Sequence, residues 1–359
     1  MLRNDKMEII KAEIRRILIL QISAIGDALF AVPAIKALRK EFPGAHISVL
    51  ASRRAGSVLQ NLPYLDDLRI FHGFFSLCRA IMQDRTMKYD LAVGLSNQGS
   101  WLAFLSGARF KAGFVSPLLR SACPGSVKVK PSMHVVDYCL SVAGLLGAAT
   151  SDREMEIQLT PQELEKADEF LKRHRLAGLP LVAIHPGGRY FPFKRWPTEQ
   201  FARLADGLAQ NGVGVILVGG PDDVELAAQT AAAAKVQLAS AIGELKLKET
   251  AALIGKCQLF VGNDSAPLHM AAAVKTPTIS LYGPTDPAQF APFGSGHSAI
   301  YKALPCSPCF KFLGPAGQHL PKCARPYCME AIQADEVLAL ALAKLDLGRT
   351  AAMDGEDAV

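Results

Sequence analysis

Short apolar runs alternate with amphipathic helical stretches along most of the 359-residue chain, and a pattern of this kind folds as parallel sheets with helical crossovers. In a first round, runs at 17–20, 47–50, 68–71 and 91–94 read as strands. Between the first two lies a helical stretch at 27–41, with Leu29, Phe30, Ile35 and Leu38 on one face and Pro43-Gly44 ending it. A helix at 135–146 leads into a polar, helix-breaking stretch at 147–161, after which the rhythm restarts. Strands are expected at 181–184, 213–218, 259–261 and 278–282, and helices near 198–211, 222–234, 248–256 and 266–274. The pattern predicts two α/β domains, 1–160 and 161–349. The second carries an irregular Cys-containing segment and a last helix at 334–345, and 350–359 reads as a flexible tail. The length agrees, because one hydrophobic core rarely organises so many residues.

Half of the residues are apolar and a fifth are charged, which excludes a disordered chain. The first twenty residues hold five basic side chains and no uninterrupted apolar core of a signal sequence. No apolar run approaches the ~18 residues needed to cross a bilayer. A cytoplasmic location is expected, with at most peripheral contact at the inner membrane. The net charge of +6 is uneven: residues 1–150 carry 19 Lys and Arg against 10 Asp and Glu, hence +9, and residues 151–359 carry 20 against 23, hence −3. The first half is therefore expected to face an acidic partner. No basic stretch is interleaved with aromatics and no nucleic-acid module is present, so a phosphorylated lipid or sugar is expected rather than nucleic acid. A solvated basic surface is the plain alternative.

Four loops fall at the carboxyl ends of expected strands, where open α/β sheets bind ligands. The first, 21–27, lacks G-x-G-x-x-G and ends in Asp27 at the start of a helix. There the carboxylate either caps the helix or serves as a general base. The second runs from His185-Pro186-Gly187-Gly188-Arg189 to Lys194-Arg195-Trp196-Pro197-Thr198. Its glycines let a ligand approach the backbone, Lys194 offers a charge for a phosphate, Trp196 reads as packing, and Thr198 as a cap for the next helix. The third, Gly219-Gly220-Pro221-Asp222-Asp223, borders a ribose or base, or is only a turn with an acidic helix start. The fourth, Gly262-Asn263-Asp264-Ser265-Ala266-Pro267-Leu268-His269, places a helix N-terminus after a strand, which suits a diphosphate. His269 reads as a structural hydrogen-bonder or a ligand.

Together these loops resemble glycosyltransferase family 9, the ADP-heptose:lipopolysaccharide heptosyltransferases. The resemblance runs from ILILQISAIGDALFAVPAIKALRKEFPGAHISVL through HPGGRYFPFKRWP to VGNDSAPLHMAAAVKTPTISLYGPTDP. It implies a GT-B architecture, two Rossmann-like parallel-sheet domains facing a cleft, with an acceptor held by the first and a nucleotide sugar by the second. Carried over, Asp27 matches the catalytic base, Lys194 the lysine on the donor phosphates, and Asp264, Ser265 and Ala266 the helix-start loop around the diphosphate, with Gly187 and Gly188 beside it. Gln21 stands where the family usually has Lys. The implied reaction is an inverting transfer of heptose from ADP-heptose to an inner-core, lipid A–Kdo type acceptor, an anionic glycolipid. Arg53, Arg54 and Arg120 are expected acceptor contacts, from a basic pool that includes Arg109, Lys111, Lys128 and Lys130.

Such a transfer needs a base for the acceptor hydroxyl and positive charge for the departing diphosphate. Lys194, with Arg189 and Arg195 nearby, supplies the charge without a metal, and no Asp-x-Asp cation motif ends a strand. No cofactor is expected. Cys78, Cys123, Cys139 and Cys257 are scattered, as core or free thiols. Cys306, Cys309, Cys323 and Cys328 give C-x2-C-x13-C-x4-C, whose first pair has zinc-knuckle spacing; a structural zinc and reduced thiols packing an irregular loop both fit. Competing readings are another GT-B enzyme, such as a nonhydrolysing UDP-sugar epimerase, and a non-catalytic nucleotide-sugar-binding protein.

Overall fold

In the computed structural model, residues 13–114, 126–127, 133–188, 191–310, 323 and 325–356 are described. The first strand, β1 (Arg16–Gln21), shows why the chain layers as it does. Ile17, Leu18, Ile19 and Leu20 alternate between the two faces of the strand, yet all four are fully buried, so both faces of the sheet must be covered. Helix α1 (Ile25–Glu41) covers one of them, packing on α5 (Val135–Leu145). On the other side, α3 (Phe74–Thr86) and α4 (Asn97–Leu105) turn Leu77, Ala80, Ile81, Leu102 and Ala103 into a cluster with Leu18, Leu20 and Leu50.

The remaining strands of this unit are β2 (His46–Ser52), β3 (Asp67–Phe71), β4 (Leu91–Gly94), β5 (Phe110–Phe114) and β6 (Ser126–Val127), and α2 (Arg53–Leu59) follows β2. All pair in parallel, in the order β3-β2-β1-β4-β5-β6. The order reverses between β1 and β4, which makes the carboxyl end of that pair the ligand crevice of a doubly wound sheet.

The second unit repeats the plan. It opens with α6 (Pro161–Arg173), capped by Thr160 and Glu163. Its strands are β7 (Leu181–His185), β8 (Gly214–Leu217), β9 (Ala239–Ser240), β10 (Leu259–Asn263), β11 (Thr278–Tyr282) and β12 (His297–Tyr301). They form the parallel order β12-β11-β10-β7-β8-β9, the same winding as the first sheet with its reversal between β7 and β10. The helices are α7 (Thr198–Gln210), α8 (Val224–Ala233), α9 (Leu247–Gly255), α10 (Ala266–Ala273), the short α11 (Pro287–Phe290) and α12 (Tyr327–Glu330), and α13 (Ala334–Glu356). Val337 and Ala341 of α13 pack with Phe201, Leu204 and Leu208 of α7, so the terminal helix closes the core of its own unit. It runs past residue 350, where a tail was expected.

The chain divides into two compact units, Met1–Gln158 and Leu159–Val359. No helix among the described residues is long and apolar enough to cross a membrane.

Candidate active site

The reversal point of the second sheet gathers side chains from three of the four loops. Asn263, fully buried at the end of β10, ties them together. Its Nδ2 donates to the carbonyls of Pro186 (3.2 Å) and Gly187 (2.9 Å), and its Oδ1 accepts the Trp196 N–H at 3.0 Å. Trp196 is itself fixed: its indole N–H donates to the Ile332 carbonyl at 2.9 Å and its ring meets Phe201 edge-on. The packing role expected for it holds. The Arg195 Nε donates to the Gly188 carbonyl at 2.9 Å and so braces the loop. Thr198 is the first residue of α7 and Pro197 occupies the cap position with no side-chain hydrogen bond, so the capping expected of Thr198 does not occur.

Between these braced loops stands an ion pair. Lys194 Nζ donates to Asp264 Oδ2 at 2.7 Å, with both side chains largely buried. The ammonium also lies 5.2, 5.8 and 5.0 Å from the ring centres of Phe191, Phe290 and Phe310, an aromatic surround that favours a cation. His269 Nε2 stands 3.7 Å from Asp264 Oδ1. Burial alone would raise the Asp264 pKa, but Lys194 and His269 outweigh it and hold the carboxyl well below the usual carboxylate range.

A second polar chain lies beside it. His185, at the end of β7, contacts Ser265 Oγ through Nδ1 at 2.9 Å and Asp223 Oδ2 through Nε2 at 3.3 Å. Asp223 also accepts the Gly220 N–H at 2.9 Å; despite burial, His185 and the main-chain donors keep its pKa low. This carboxylate is therefore engaged inside the domain. Gly187 must be glycine for the same reason, since a Cβ there would collide with the Asp223 carboxylate. Ser265 and Ala266 sit at the cap and first position of α10, with Pro267 next, as the sequence suggests. Thus Gly187, Gly188, Lys194, Asp264, Ser265 and Ala266 come together at one sheet edge. What sequence reasoning missed is the contact of His185 with Asp223, 38 residues away, and with Ser265, 80 away, together with the three-phenylalanine surround; no local pattern announces either.

In the first unit, Asp27 is the third residue of α1, half-buried, and its Oδ2 accepts the Ala24 N–H at 3.4 Å. It lies at the carboxyl edge of the sheet, beside the β1–β4 reversal. Gln21 is fully buried and donates to Ser23 Oγ at 2.8 Å, so the side chain standing in place of a lysine folds into its own loop. Ser52 Oγ donates to the Ser23 carbonyl at 3.2 Å, joining this loop to the start of α2, where Arg53 and Arg54 are exposed. Arg109 forms an exposed ion pair with Glu13. Arg120, Lys128, Lys130, Arg189 and Cys123 lie outside the described residues.

The four clustered cysteines divide by burial: Cys306 and Cys323 are exposed, Cys309 is half-buried and Cys328 is buried. Burial, with the neighbouring thiols, raises the Cys309 pKa. Among the described residues no group of three or more His, Cys, Asp or Glu is arranged to hold a metal ion.

The sequence profile of glycosyltransferase family 9 (heptosyltransferase) matches residues 76–318. The chain belongs to glycosyltransferase family 9. Among its relatives, this family 9 chain is 32% identical to lipopolysaccharide heptosyltransferase 3 of Escherichia coli over 284 residues, 73% of this chain and 81% of the relative. Its fold is that of a family 9 glycosyltransferase from Veillonella parvula (TM-score 0.78, 23% identity, 92% and 97% of the two chains). It is likewise that of the Escherichia coli ADP-heptose lipopolysaccharide heptosyltransferase II (TM-score 0.74, 21% identity, 93% and 99%). The architecture is GT-B, and the family 9 chain is a transferase of sugars.

Proposed function

We propose that this family 9 member is an inverting glycosyltransferase that moves a heptose from ADP-heptose to the inner core of a lipopolysaccharide acceptor of the lipid A–Kdo type, at the cytoplasmic face of the inner membrane. The Lys194–Asp264 pair carries the reading. A cation held inside a ring of aromatics, at the one crevice where a doubly wound sheet binds nucleotide, suits a diphosphate whose charge grows as its bond to the sugar breaks. Ser265, the first amides of α10 and the close backbone at Gly187 and Gly188 complete the phosphate side, with Asp264 orienting Lys194. Asp27 takes the proton of the acceptor hydroxyl; the new C–O bond forms on the opposite face of the anomeric carbon as ADP leaves.

Arg53 and Arg54 support the acceptor side. They occupy the first two positions of α2, the helix end where the dipole disfavours cations, and so stand against local preference on an acidic ligand's side of the sheet. Arg120 completes the proposed set. The domain assignment, acceptor with 1–160 and nucleotide sugar with 161–349, follows from this division of residues.

The test is transfer itself. Incubation with ADP-heptose and a Kdo-bearing lipid A acceptor is expected to release ADP and add one heptose mass to the acceptor. Turnover of a UDP-sugar with none of ADP-heptose would overturn the reading.

A further inference from the structure

Five large apolar side chains point outward from the two helices on one face of the first sheet. On α3 these are Phe74, Phe75 and Met82, exposed by 73, 86 and 71%; on α4 they are Trp101 and Leu105, exposed by 56 and 57%. The inner sides of both helices feed one core cluster, through Leu77, Ala80, Ile81, Leu102 and Ala103, so each helix carries large apolar side chains on its outer side in addition to its buried one. Phe74 and Phe75 meet edge-on, their ring centres 5.8 Å apart. Soluble surfaces rarely leave so much aromatic area in water without a partner.

The charges around the patch indicate which partner. Between residues 72 and 109 the acidic residues are Asp84 and Asp90 alone. Both are turned inward: Asp84 is buried on Arg69, and Asp90 accepts the main-chain N–H groups of Arg15 and Arg16. Arg79, Arg85 and Lys88 are exposed among the apolar side chains. Aromatics and Met interspersed with cations, with no outward carboxylate contributed by this stretch, match the interfacial layer of an anionic bilayer: rings and aliphatic groups sink to the acyl boundary while the cations meet phosphates.

We propose that the outer face of α3 and α4 is the surface by which the protein docks on an anionic phospholipid bilayer. Position adds to composition. Phe74 and Phe75 begin α3 directly after β3, at the carboxyl edge of the sheet that also carries Asp27, so a bilayer met there lies on the side from which a lipid-borne hydroxyl reaches that carboxylate. This last link rests on the glycolipid acceptor proposed above; the docking itself does not.

The experiment is flotation of the full chain with vesicles of phosphatidylethanolamine and phosphatidylglycerol, or of phosphatidylcholine alone, comparing wild type with Phe74→Ser/Phe75→Ser and, separately, Arg79→Glu. These side chains are exposed, so the variants are expected to fold, which circular dichroism checks. Wild type should float with the anionic vesicles and not the neutral ones, and the double variant should bind at least about tenfold more weakly, because burial of two rings is lost. Transfer to a membrane-borne acceptor should fall with it while transfer to a deacylated acceptor stays unchanged. Absent or variant-insensitive flotation overturns the proposal, as does a variant that converts a dimer into a monomer, since the patch would then face a second copy. If neither acceptor is glycosylated by wild type, the proposed reaction fails and flotation still decides the docking surface.

Discussion

Lys194 Nζ stands 2.7 Å from Asp264 Oδ2, and this contact joins the loop after β7 to the loop after β10 across a 70-residue separation. The pair is largely buried, so neither charge has water to fall back on. The phosphate proposed to bind here would gain a preformed cation whose position the carboxylate already fixes.

Replacing Lys194 with Ala should therefore weaken ADP binding by about tenfold or more, the worth of a hydrogen bond to a charged group. It should also destabilise the second unit by roughly 3 kcal/mol, because Asp264 is left buried without its cation. Adding Asp264→Asn to Lys194→Ala should restore much of the stability and none of the ADP affinity. Calorimetric titration and thermal melts separate the two effects; ADP affinity unchanged in Lys194→Ala would remove Lys194 from the donor site.

Asp27→Asn tests the base. Asn keeps the size and can still accept the Ala24 N–H, so the melting temperature should hardly move. Turnover should fall by roughly 10²–10⁴-fold, the usual contribution of a positioned base, with ADP affinity retained. Near-wild-type turnover would place the base elsewhere, and an unfolded variant would leave Asp27 a helix cap.

If Arg53 and Arg54 meet an anionic acceptor, exposed charges are screened beyond about 8 Å at physiological salt, and the acceptor KM should climb with ionic strength while ADP affinity changes less. Arg53→Ala/Arg54→Ala should flatten that dependence. Acceptor kinetics indifferent to salt in wild type would reduce the +9 of the first half to surface solvation.

A pH dependence follows from His297 on β12. Burial, aided by Lys344 and Lys275, lowers its pKa from 6.5 to about 4. The unfolded chain binds that proton first, so stability is full above pH 6.5 and declines as pH falls from 6.5 towards 4. Asp264 works in the same sense at lower pH: its folded pKa lies below the ordinary 3.8, so its contribution is present above that value and is lost only in stronger acid. Melts of wild type and His297→Gln should diverge between pH 7 and 4.5, the variant showing the shallower decline; parallel curves would sink the assignment.

Much of the architecture was legible because the central strands are apolar on both faces and short. Runs such as Leu259–Asn263 and Thr278–Tyr282 have few other ways to bury themselves. Several outer elements were not, although the edge strand β3 was. Strand β12 reads HSAIY, half polar because one flank faces solvent, and α6 carries so many charges that only Ala167, Phe170 and Leu171 betray its buried side. At the site, glycines and the proline of α10 show in sequence because they serve local backbone geometry. The contacts of His185 with Asp223 and Ser265, and the surround of Lys194 by Phe191, Phe290 and Phe310, are made by tertiary packing and leave no spacing to read.

The two sheets share one winding, and each reverses once. Each unit therefore owns a single crevice, built from its own loops and encoded by its own stretch of sequence. Drift in the loops that follow β1, β2 and β4 alters what one crevice accepts without touching a residue of the Lys194–Asp264 pair. On the proposed division of donor and acceptor between the units, the fold separates inheritance of the leaving group from diversification of the recipient, and a lineage can change the second while the first stays fixed.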